Sequence, residues 1–238
     1  MDTWRRERRD LTAVGPEAVD GALTTRRSIR GFRPDPVPLD LVRHLLTVSS
    51  RAPSGSNIQP WKVYVLTGAA LERLKAELVE TFLSGEPEQR AYHYYPQNWR
   101  SPYIERRRHV GWKLYELAGV ARGDREAGDR QRARNYRFFG APVGLVFSVD
   151  KDMEIGSWLD CGMFIQNVMV AARGHGLDTC AQAAIANYPA IVARHLGIPD
   201  TETVICGMAL GWADLDEPTN ALRSPREPVD AFATFLDA

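Results

Sequence analysis

The chain is predicted to fold as one α/β or α+β domain. Three observations predict it. Stretches with helical periodicity alternate with short β-branched runs along most of the 238 residues, the pattern of a sheet covered by helices. The length suits a single compact domain, and a 44% hydrophobic composition supplies an ordinary core. No internal repeat or low-complexity segment divides the chain.

The elements follow in order. Residues 1–15 read as an arm. Helical periodicity begins near Val19-Asp20-Gly21-Ala22-Leu23 and stops before Arg26. Pro34, Pro36 and Pro38 forbid a helix between residues 32 and 38. Residues 39–50 are amphipathic, with Leu41, Leu45, Leu46 and Val48 as apolar positions, and end in the turn Pro53-Ser54-Gly55. Residues 61–66 are a strand and 69–82 a helix. Residues 84–102 are rich in Tyr, Pro, Gln and Asn and have no period. Residues 103–137 are helical with a break near Gly119–Asp124, and 143–149 are a strand. The strongest helix is 156–173, whose wide apolar coverage marks it as central. Gly174-His175-Gly176 ends it. A strand over 177–182, a helix over 188–196 and a strand over 203–210 complete the series. The proline-bearing tail from Glu217 has little to bury locally, so it is expected to lie on something else, a partner subunit first.

Charge and motifs exclude several classes. The 30 basic and 30 acidic residues cancel, which gives no reason to expect nucleic-acid or acidic-membrane binding. The balance is not local: residues 100–137 carry eleven basic side chains against five acids, either a solvated helical face or a surface suited to an anion. Cys161, Cys180 and Cys206 are an odd, scattered set in apolar surroundings, expected to be buried free thiols. The first fifteen residues lack the apolar stretch of a signal peptide, and no apolar run approaches membrane-spanning length. A cytoplasmic enzyme is expected. No G-x-G-x-x-G after a strand, no phosphate loop, no G-x-S-x-G and no Cys/His metal cluster occur. A chain without nucleophile or metal site, yet with clustered arginines, points to a cofactor that carries the chemistry.

That cluster is Arg26-Arg27-Ser28-Ile29-Arg30, followed by Ala52-Pro53-Ser54-Gly55-Ser56-Asn57-Ile58-Gln59-Pro60-Trp61. A phosphomonoester carries about two negative charges and is matched by guanidinium forks. A polyol chain wants small polar donors, and a reduced flavin ring, which gathers negative charge at N1 and O2, wants a nearby cation. Five residues supply all three kinds of group.

Together these segments resemble the flavin mononucleotide (FMN) site of the nitroreductase family. Asn135–Val143, Gly156–Asp160, Gly176–Cys180 and the tail Leu222–Val229 are also similar to family sequence, so the resemblance spans roughly residues 20–235. It is nearest to the nitrobenzoate- and nitroaromatic-reducing members. It implies an α+β, nitroreductase-like fold: a mixed central β-sheet flanked by helices, in an intertwined homodimer with a C-terminal arm. Residues 1–15 would be an N-terminal arm, 16–216 one FMN-binding domain with a lid insertion at about 84–137, and 217–238 the C-terminal arm.

The resemblance also implies roles. Arg26, Arg27 and Ser28 would hold the phosphate and ribityl end, and Arg30 would sit at N1 and O2 of the ring. Pro53, Ser54, Gly55 and Asn57 would cover the same flavin from the other subunit, and Ser56 would turn its backbone N–H toward the substrate. Ala181, Gln182, Ala183 and Ala184 would pass the ring edge, with a backbone N–H near N5. Arg223 and Arg226 would reach the phosphate from the tail. Ala183 lacks the hydroxyl that deiodinase relatives place near N5, which favours two-electron hydride transfer over dehalogenation.

On the substrate side, Tyr95, Trp99, Tyr103, Arg106 and Arg107 fall in the lid. Aromatic rings can stack on a planar substrate, and arginines can fix a carboxylate or the phosphate of a nicotinamide cofactor. The same residues also suit an ordinary exposed helix and loop. The expected activity is reduction of nitroaromatic compounds by NADPH or NADH through FMN, in ping-pong order. An enone or quinone reductase of the same family and a non-catalytic flavin-binding sensor are the alternatives.

Overall fold

The computed structural model describes residues 15–236. The expected N-terminal arm therefore lies, apart from Gly15, outside the described residues. Eleven regular elements follow one another: α1 (Pro16–Thr25), α2 (Leu39–Ser49), β1 (Lys62–Thr67), α3 (Gly68–Leu83), α4 (Tyr103–Leu117), α5 (Arg125–Ala133), β2 (Val143–Asp150), α6 (Ile155–Gly174), β3 (Asp178–Gln182), α7 (Pro189–Leu196) and β4 (Glu202–Gly211). Short 3-10 turns at Gly55–Asn57, Phe138–Gly140, Ala183–Asn187, Pro218–Ala221 and Val229–Ala231 join them.

The strands form one sheet in the order β1-β2-β4-β3. The α+β architecture is the expected one, but the sheet differs from expectation in one respect. Its four strands pair antiparallel throughout, and among the described residues the parallel component shrinks to a bridge between Ser28 and Thr179 on the free edge of β3. The cause lies in the connections: residues 183–201 return the chain at the end where β3 stops, so β4 must run back alongside it.

Alternation along the strands separates two apolar layers. Val143, Leu145 and Phe147 of β2 and Cys206, Met208 and Leu210 of β4 point to one face, where Val42 and Leu45 of α2 and Phe164, Ile165, Val168 and Ala172 of α6 cover them. Leu66, Val146, Cys180 and Ala209 point to the other face, under Leu71, Leu74 and Leu78 of α3 and Val192 of α7. The register of β4 against β2 jumps from Cys206 to Val204, which bulges Ile205 and moves Val204 to the second face. Each fully buried leucine contributes about 1.5–3 kcal/mol over its exposed state.

Helix α6 buries Ser157, Asp160, Cys161, Phe164, Ile165, Val168 and Ala172, a stripe at helical spacing. Its opposite side stays apolar and open. Ile155, Leu159 and Met163 are 79%, 68% and 39% exposed, one turn apart. The wide apolar coverage of this helix thus serves the core with one stripe only.

Candidate functional site

Helix α1 stops because Arg26 is extended (φ −60°, ψ 133°). The chain then runs along the open edge of β3, where the Ile29 N–H donates to the Thr179 carbonyl at 3.0 Å. Ile29 is buried in the core. Extended alternation consequently turns Ser28 and Arg30 away from that core. One antiparallel bridge, Phe32 to Ala213, also fixes the segment: the Arg33 N–H donates to the Trp212 carbonyl at 2.9 Å and the Asp214 N–H to the Gly31 carbonyl at 3.0 Å. Gly31 must be glycine, since a Cβ there would stand 2.2 Å from Cγ of Glu217.

A cavity of about 750 Å³ opens beside this segment. Arg26, Arg27, Ser28 and Arg30 line it together with Arg223 and Arg226 from the tail, and Arg173 adds a further guanidinium. Residues some 190 positions apart are gathered by one buried side chain, Asn220. Its Oδ1 accepts from the Arg30 N–H at 2.6 Å, and its Nδ2 donates to the Gly31 and Asp214 carbonyls at 2.8 and 2.7 Å. Its own carbonyl accepts from Arg27 Nη1 at 2.7 Å and from Arg223 Nη1 at 3.1 Å. Arg134 closes the frame, donating to the Arg30 carbonyl at 2.7 Å and pairing with Glu217 at 2.7 Å.

The electrostatics are those of a site that wants an anion. Burial first, and the Arg223 guanidinium second, hold Arg27 below its ordinary pKa. Like charges kept this close repel until a negative group enters. Asp178 is the nearby acid and already serves Arg173 at 3.2 Å, with burial pushing its carboxyl up.

A second cavity of about 310 Å³ shares Arg30 with the first and is walled by Ala181, Gln182, Ala183 and Ala184, where β3 passes into a 3-10 turn. Gln182 is buried, and its Nε2 donates to the Asn135 carbonyl at 2.6 Å, which fixes the orientation of the amide. Cys180, wholly buried beneath this wall, has its thiol pKa pushed up by burial. A third cavity of about 730 Å³, lined by Tyr95, Trp99, Tyr103, Arg106 and Arg107, shares Tyr95 with the second and Val110 with the first. The three spaces are therefore neighbours around Arg30, Tyr95 and Val110.

The sequence-predicted residues divide accordingly. Arg26, Arg27, Ser28, Arg30, Arg223 and Arg226 come together in the first cavity, Ala181–Ala184 in the second and the five lid residues in the third. Pro53, Ser54, Gly55, Ser56 and Asn57 line none of these three cavities. They form an outward turn beside α6, where the Gly55 N–H donates to Asp160 Oδ2 at 3.2 Å. Ser56, Asn57 and Gln59 hold left-handed backbones there, with φ 49°, 59° and 49°. Such conformations cost about 1–3 kcal/mol for residues such as serine and glutamine, and less for asparagine. Phe139 belongs to the core.

The sequence offered no sign of Asn220, Glu217 or Arg134. Asn220 sits in Pro218-Thr219-Asn220-Ala221, an ordinary turn composition whose role appears only once the distant segments meet. Arg90 and Asn135 of the second cavity carry no such sign in the sequence either. Among the described residues, no three His, Cys, Asp or Glu side chains are grouped to hold a metal ion.

The chain is similar to known proteins over most of its length. The model of the Nitroreductase family matches residues 23–212. The chain is 39% identical to a chloronitrobenzene nitroreductase of Comamonas testosteroni, over 92% of this chain and 96% of that one. It is 36% identical to a 4-nitrobenzoate reductase of Pseudomonas putida, over 94% and 98%. Among solved structures it is similar to an FMN and NADPH-dependent nitroreductase NfnB of Sphigopyxis sp. strain HMH, with a TM-score of 0.89, 35% identity and coverage of 92% and 99%.

Proposed function

The chain belongs to the nitroreductase family, and on that premise we propose that it is an FMN-dependent oxidoreductase that uses NAD(P)H to reduce nitroaromatic compounds. The observation that carries this reading is the cavity of converging guanidiniums, where Arg27 and Arg223 share the Asn220 carbonyl and burial, then Arg223, hold Arg27 below its ordinary pKa. The donor set fits FMN: guanidinium forks and Ser28 for the phosphate and ribityl chain, Arg30 at the junction with the second cavity for the ring. Bound there, FMN would supply the two-electron hydride chemistry that links the nicotinamide donor to the acceptor.

The protein's own groups do the rest. Arg26, Arg27, Arg223 and Arg226 bind and orient. Arg30 is held by its backbone in the Asn220 and Arg134 frame, and its guanidinium donates to the Ser28 carbonyl at 3.2 Å where it lines both cavities, so a positive charge stands beside the ring position before reaction. The alanines and Tyr95 line one side of the second cavity. No protein acid is required, because solvent reaches the cavity mouth. One open space for two reactants predicts ping-pong order.

The active unit is read as a homodimer. The exposed Ile155, Leu159 and Met163 stripe is an apolar face suited to a second copy, and the strained 53–57 turn beside it would then serve the partner's flavin. The domain division stands on the same reading, with residues 84–137 as lid and 217–238 as arm. Three buried free thiols suit a reducing cytoplasmic compartment. Among the described residues no helix is long and apolar enough to cross a membrane.

The test is anaerobic. NADPH should bleach the yellow holoenzyme, and a nitroarene should restore the colour. Arg30→Ala should keep most of the FMN yet slow bleaching about tenfold or more, the loss expected of one charge-assisted contact. An unbleached flavin would favour the sensor alternative, and an unchanged rate would remove Arg30 from its role.

A further inference from the structure

The third cavity contains an electrostatic asymmetry. Arg106 and Arg107 are neighbours on α4, and both line the cavity. Arg106 is neutralised by Glu227 at 3.0 Å. Arg107 has no carboxylate partner among the described residues. It is held instead by rings, its guanidinium carbon lying 4.6 Å from the Trp99 centroid and 5.6 Å from the Tyr95 centroid. Those rings are 5.4 Å apart, so they form a joint platform. Arg100 repeats the arrangement over Tyr103 at 4.9 Å, again with no carboxylate partner among the described residues.

A guanidinium laid over a ring uses its face for the contact and keeps its in-plane N–H donors for another ligand. Tyr95 also borders the second cavity, where the flavin ring is placed by the reading above. A planar molecule reaching from that cavity past Tyr95 would bring its far substituent to Arg107.

We propose that Arg107, on its Trp99 and Tyr95 platform and assisted by Arg100, is a specificity-determining anion subsite for the reactants of the lid cavity. The reactants it selects are planar and carry a negative group remote from the reducible centre. Two sources share this chemistry: a carboxylate on an aromatic electron acceptor, and a phosphate on the nicotinamide donor. The placement of the ring rests on the reductase reading; the charge selection can be measured without turnover.

The holoenzyme is titrated with benzoate and with benzamide, its neutral isostere, and separately with NADP+ and NAD+, following the flavin absorbance. The wild type is compared with Arg107→Met, which keeps the length, and Arg107→Lys, which keeps the charge. Equal FMN content in all three shows that folding is intact. About tenfold tighter binding of benzoate, lost in R107M and partly kept in R107K, assigns the subsite to the acceptor's carboxylate. Loss of an NADP+ over NAD+ preference instead assigns it to the donor's phosphate. No charge preference in the wild type, or preferences that survive R107M, overturn the proposal. Failure of NADPH-driven reduction of nitrobenzene would strike the reductase reading alone, since the binding comparison stands without it.

Discussion

The arginine cradle and the aromatic lid both gather cations around a cavity, but they are held by different means. In the cradle, a buried Asn220 makes five hydrogen bonds to the segments it joins, and the Arg134–Glu217 pair beside it is mostly buried. In the lid, Arg100 and Arg107 rest on ring faces, and the link to the tail is the Arg106–Glu227 pair, each side chain nearly half exposed. Buried charge-assisted bonds leave costly orphans when broken; exposed pairs and ring contacts exchange with water at little cost. The difference assigns a division of labour: a fixed frame for a cofactor that stays, and a compliant wall for reactants that come and go.

The sharpest way to break the comparison is Asn220→Ala. It strands the Arg30 N–H and the Asp214 carbonyl and leaves the Gly31 carbonyl with the Asp214 N–H alone, so urea unfolding should show a loss of about 2–4 kcal/mol. FMN affinity should fall about tenfold, because the turn that presents the Asn220 backbone carbonyl to Arg27 and Arg223 loses the side-chain bonds that hold it in place. A variant with wild-type stability and affinity would mean that the cradle does not depend on this frame.

Glu217→Gln comes next. Burial pushes the Glu217 carboxyl up, but Arg134 and Thr219 outweigh it and hold the pKa below its ordinary value. A depressed folded pKa contributes stability that is present above the unfolded value, about 4.3 for a glutamate, and is lost as pH falls through the folded value. The variant should be about 1 kcal/mol less stable at pH 7, with the gap narrowing in acid. A gap that widens in acid would contradict the assignment. Smallest is Glu227→Gln, which removes the tail's partner for Arg106 of the lid; a change of at most about 0.5 kcal/mol is expected by the same unfolding measurement. A larger loss would show the lid to be as rigid as the cradle.

The contrast also marks how far the residues could be read in advance. The order of helices and strands was legible because period and prolines are local properties, and α6 stood out by its apolar coverage. Arg26–Arg30 was legible because cations and a hydroxyl crowd into five positions. The antiparallel sheet was not, since strand direction depends on where connections return the chain. Asn220 was invisible because its partners are remote in sequence and its neighbours spell an ordinary turn. The 53–57 turn was recognised as a motif, yet within one protomer it faces away from the cavities, so its place at a flavin depends on a second copy. Arg106 and Arg107 looked equivalent in sequence; only the tail's Glu227 separates them.

The grip of the converging guanidiniums on a phosphate is measured by titrating the apoprotein with FMN and with riboflavin, which lacks the phosphate, and following the quenching of flavin fluorescence. FMN should bind at least about a hundredfold more tightly, the equivalent of roughly 2.7 kcal/mol, with a preference that weakens as salt is raised. Equal affinity for the two flavins would contradict the account.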